Sequence, residues 1–66
     1  GRARMYLARG MKGFAQRDIN QAFELLGGKA PATLYRLRAE LNEGLGNRKA
    51  ATEDIQRAEA LERRQP

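Results

Sequence analysis

Leu34-Tyr35-Arg36-Leu37-Arg38-Ala39-Glu40-Leu41, then Leu45-Gly46-Asn47, then Ala50-Ala51 followed by Ile55, Ala58 and Leu61: this half of the 66-residue chain decides how the rest is read. Leu34, Leu37, Leu41 and Leu45 recur every three or four residues, so they predict a helix with one apolar stripe. Ala51, Ile55, Ala58 and Leu61 form a second, flatter stripe. Gly46 breaks the chain between them, and Asn47 can cap the helix that follows. Alanine at contact positions lets two helix axes approach closely, which predicts a tight antiparallel hairpin over about residues 31–63.

The first half echoes this segment. Shifted by 29 positions, Ala3, Tyr6, Arg9, Ala22 and Glu24 fall on Ala32, Tyr35, Arg38, Ala51 and Glu53. Gly10 falls on Ala39, Asp18 on Asn47 and Leu26 on Ile55. That register predicts another hairpin over about residues 2–27, with Asp18 as an N-cap and Gly27-Gly28 as the terminal stop. Gly10, matched to Ala39, is expected inside the first helix as a minimal side chain under a crossing helix. Four helices follow, roughly 2–15, 18–27, 31–44 and 48–63, with Pro31 in the first turn of the third. Strand signals are nearly absent: there is no Val and there are only two Ile. The expected fold class is all-α, two stacked antiparallel helical hairpins in one small domain spanning residues 1–66. A start at Gly1 is expected of a segment cut from a longer protein.

Composition excludes several function classes. There is no Cys and no His, so thiolate or imidazole metal sites and imidazole acid–base catalysis are ruled out. The carboxylates lie scattered beside basic residues, and no catalytic residue, cofactor or metal site is expected. Gly27-Gly28-Lys29 lacks the spacing and hydroxyl of a phosphate loop. No apolar run approaches the roughly 18 residues that a membrane span requires. The net charge of +5 is unevenly placed, with Arg2, Arg4, Arg9, Lys12 and Arg17 preceding the first acid. Such a basic first helix suits an anionic partner, although a solvated charged face is the plainer role.

The pattern Tyr35, Ala39, Gly46, Ala51, Ile55, Ala58 resembles the tetratricopeptide repeat, a helix-turn-helix unit of about 34 residues, and the chain resembles two degenerate copies of it. A period of 29 is about five short of that length. The family's mid-helix aromatic is Gly13 in one copy and Asn42 in the other, and the closing Pro is replaced by Arg63. The resemblance implies a protein-interaction scaffold whose two leading helices form a concave face for a peptide or partner helix. The contacts it implies are Leu7, Met11 and Phe14, with Arg36 and Glu40 opposite; ordinary core is the commoner role for the first three. The Lys and Asn of the family's carboxylate clamp are missing. Two units are also fewer than the roughly three that such arrays need, so self-association or a partner over the open ends is expected.

Residues 17–41 also resemble a DNA-binding helix-turn-helix, with 31–41 as recognition helix. That alternative assigns nucleic-acid contacts to Thr33, Tyr35, Arg36 and Arg38, and to Arg2, Arg4, Arg9 and Lys12 on the basic first helix. A pI near 10.5 agrees with it. Phe23 where a small residue must allow the helices to cross, and Glu40 and Glu43 beside the DNA, count against it.

Overall fold

The computed structural model describes residues 2–64, which form four helices and, among the described residues, no strand. Helix α1 spans Arg2–Ala8 and α2 spans Lys12–Leu26; a single 3₁₀ turn, Gly27–Lys29, leads to α3, Ala32–Gly44, and then α4, Arg48–Arg64. The fold is all-α, as expected. α1 packs on α2, α3 packs on α4, and α2 joins the two pairs through α3.

The second pair forms as its sequence predicts. Gly46 has φ +82°, and its N–H bonds to Glu43 O at 3.0 Å while Asn47 N–H reaches back to Asn42 O at 2.8 Å. This is a Schellman ending, which needs a left-handed residue and so favours glycine. Asn47 Oδ1 then accepts the Ala50 N–H at 3.4 Å and opens α4. Ala39, Ala51 and Ala58 are buried where α3 and α4 meet. Asp54 is buried among them, held by Arg38 and Asn42. Pro31, φ −76° and ψ 162°, stands just before α3 rather than in its first turn.

The first pair departs from expectation at its turn. The expected helices 2–15 and 18–27 are corrected to 2–8 and 12–26. The break falls at Gly10, φ +75°, where the same Schellman bonds recur: Gly10 N–H to Leu7 O at 3.0 Å and Met11 N–H to Tyr6 O at 2.7 Å. Gly10 therefore ends a helix instead of lying under one. It is exposed, and a Cβ there would meet nothing within 4 Å. Asp18 is no N-cap; it sits mid-helix in α2. Gly13 lies in the first turn of α2, where the helical cost of glycine is smallest.

These corrections share one cause, the register of the internal echo. The turns align at a shift of 36, not 29: Gly10 matches Gly46, α1 ends at Ala8 where α3 ends at Gly44, and α2 starts at Lys12 where α4 starts at Arg48. At this shift Arg2, Ala3, Gly10, Ala15, Asp18, Ile19, Ala22 and Leu25 meet identical residues at Arg38, Ala39, Gly46, Ala51, Asp54, Ile55, Ala58 and Leu61. The two registers differ by seven residues, two helical turns, so both keep similar residues on one helix face. The turn glycines separate them.

The core lies between the hairpins. Ala15, Ile19 and Leu41 are buried together, with Ala3, Tyr6, Leu7, Phe23 and Leu37 packed around them. Leu41 of α3 thus closes the surface made by α1 and α2. Of the predicted stripes, Leu34, Leu37 and Leu61 are half-buried, while Leu45 and Ile55 face solvent.

Candidate functional site

Each hairpin carries the same charged clasp. Arg2 Nε and Nη2 donate to the two Asp18 oxygens, both at 2.8 Å. Arg38 makes the same fork onto Asp54, at 3.0 and 2.7 Å. A planar guanidinium meeting a carboxylate in this way fixes orientation as well as charge. Asp54 is the more enclosed of the two acids and takes a third bond from Asn42 Nδ2 at 3.0 Å. Through its hydrogen bonds, Arg2 holds the Asp18 carboxyl below its ordinary range, and Asp18 raises Arg2 in return. Arg36 forks onto Glu62 at 2.8 and 2.7 Å, lowering Glu62 and rising itself for the same reason.

The remaining cations are divided. Lys12 Nζ donates to Gly44 O at 2.7 Å, closing the carbonyl end of α3. Arg4 Nη1 lies 3.5 Å from Glu40 Oε2, which ties α1 to α3. Arg38 also covers the Phe23 ring at 3.9 Å, and Phe23 meets Tyr35 edge-on at 5.0 Å. Of the eight residues assigned to nucleic acid, Arg2, Arg4, Lys12, Arg36 and Arg38 are thus engaged by acids or a backbone carbonyl. Thr33 and Arg9 are exposed, and Tyr35 is half-buried.

The five residues implied for partner binding fall in three places. Leu7 packs against the core. Met11 and Phe14, the latter 51% exposed, line an open depression with Gly10, Lys12, Gly13 and Arg17. Tyr6 stacks on Phe14 with ring centroids 5.3 Å apart. Arg36 and Glu40 line a different groove, with Arg4, Ala39, Glu43 and Ile55. The two depressions share no lining residue. Arg17, Glu43 and Ile55 are not among the contacts that the sequence assigns; the 36-residue register points to Ile55, the counterpart of buried Ile19.

No group of carboxylates among the described residues is placed to hold a metal ion, and no helix among them is long and apolar enough to cross a membrane. Comparison with protein-family models, with curated proteins and with solved structures finds no match in any of the three.

Proposed function

We propose that this chain is a protein-interaction module, a scaffold of two tetratricopeptide-like hairpins that holds a peptide or a partner helix. The observation that carries this reading is the duplicated hairpin, with its matched turns and matched Arg–Asp clasps 36 residues apart. That spacing lies two residues from the family's 34, whereas 29 lies five away. In the corrected register the turn glycine, small and bulky positions of the first copy become Gly10, Ala15, Ile19 and Ala22, which match Gly46, Ala51, Ile55 and Ala58.

The contact surface that best suits a peptide is the depression at the α1–α2 turn. Met11 and Phe14 offer apolar area there, Tyr6 supports Phe14 from behind, and Lys12 and Arg17 border it with positive charge. Such a surface favours an apolar side chain flanked by acids. The nucleic-acid reading draws less support, because most of its cations already hold carboxylates of the same chain.

Titration against an acidic amphipathic peptide and, separately, random duplex DNA discriminates between the two readings. The peptide is expected to shift backbone resonances around Met11 and Phe14, and Phe14→Ala to abolish the response. Micromolar duplex binding with a log–log salt slope of several units would reverse the assignment.

A further inference from the structure

The corrected register relates two buried residues to two exposed ones. Leu41 of α3 covers Ile19 of α2, and both are at most 2% exposed. Their counterparts at the shift of 36 are Met5, which is 42% exposed, and Ile55, which is 36% exposed. The chain therefore carries both halves of its own central interface, bare, at opposite ends. Ile55 lies in a groove with Ala39, Glu40 and Glu43, the counterparts of Ala3, Arg4 and Leu7 in the surface that receives α3.

The geometry points to head-to-tail self-association, with α1 of a second copy seated on the α3–α4 groove as α3 is seated on α1–α2. The polar contacts at the internal interface predict what such a joint would hold. Arg4 with Glu40 becomes Glu40 with Arg4 of the next copy, the same pair with the roles exchanged. Lys12 on the Gly44 carbonyl becomes Arg48 on the Ala8 carbonyl, again a cation at a helix's negative end. Arg38 over Phe23 becomes Arg2 beside Glu59, a cation meeting an acid. α1 carries Arg2 and Arg4 and no acid; on the receiving surface Arg4 pairs with Glu40 and Arg36 with Glu62, which leaves Glu43 and Glu59 without an ion pair among the described residues. Charge and shape thus select the same occupant, a basic helix with Met5 at its centre.

Such a contact uses different patches on the two copies, so it does not close at a dimer. Sedimentation of the 66-residue chain is therefore expected to give an average mass that keeps rising with concentration and falls with added salt. Met5→Lys and Ile55→Lys each remove one half of the joint and are expected to be monomeric alone. Mixed, they should form a heterodimer that grows no further, because each supplies the face the other has lost. Wild-type chain that stays monomeric at millimolar concentration overturns the inference. So does a mixture that stays monomeric, or a single variant that still associates like wild type. Helical circular dichroism confirms that the variants fold. If either lysine unfolds the chain, Met5→Gln and Glu59→Lys replace them, since Glu59 makes no ion pair or hydrogen bond among the described residues.

Discussion

The two hairpins share a turn, a clasp and a register, yet they are finished differently. In the first, the clasp Arg2–Asp18 is open to water, and Ile19 is buried by a neighbour from the other hairpin. In the second, the clasp Arg38–Asp54 is enclosed, and Ile55 is left exposed in an open groove. The first hairpin draws its order from the second. Position in the array, more than local sequence, decides what each repeated residue contributes.

The sharpest break of that comparison is at the isoleucines. Ile19→Ala is expected to cost about 2–5 kcal/mol, as for other buried aliphatic truncations, whereas Ile55→Ala should cost less than about 1 kcal/mol. A domain this small holds only ~3–5 kcal/mol in total, so Ile19→Ala should leave much of the chain unfolded in a thermal melt. Equal costs at the two sites would refute the asymmetry. Next come the clasps. Asp54→Ala leaves Arg38 and Asn42 without their acceptor and should lose about 2–3 kcal/mol by urea denaturation. Asp18→Ala should lose clearly less, because water replaces the carboxylate around exposed Arg2.

Ala39→Leu should destabilise by about 1–3 kcal/mol through overpacking against α4, and half-buried Ala3→Leu by less. The glycines sharpen the likeness instead of the contrast. Gly10→Ala and Gly46→Ala should each cost about 1 kcal/mol, and by nearly the same amount, since neither Cβ would meet a neighbour and only the left-handed backbone matters. The smallest effect is expected with pH. Asp18 and Glu62 are held below their ordinary values of 3.8 and 4.5. Their contribution is present above those values and fades as pH falls through the lowered ones. Asp18→Asn and Glu62→Gln should each flatten the acid limb of the melting-midpoint profile; a limb unchanged in both variants would remove these pairs from the account.

The second hairpin was legible because its signals are local. A leucine stripe, a glycine stop and an asparagine cap follow one another without ambiguity. The first was not, because Asp18, a residue favoured at helix starts, sits mid-helix with its carboxylate held by Arg2, and because a seven-residue slip leaves the apolar face intact. The clasps were not legible. Their partners lie sixteen residues apart on different helices, and no single-helix periodicity brings them together. Met11 and Phe14 were visible as an apolar stripe, but only the turn at Gly10 shows why they face outward instead of into the core.

The tight turn of the second hairpin has one last consequence, for the path by which the chain acquires its structure. The α3–α4 pair, joined by a tight turn and full of contacts between residues close in sequence, has the topology of a fast nucleus. It is expected to assemble first and to offer Leu41 to α2, so that the first hairpin orders on the second.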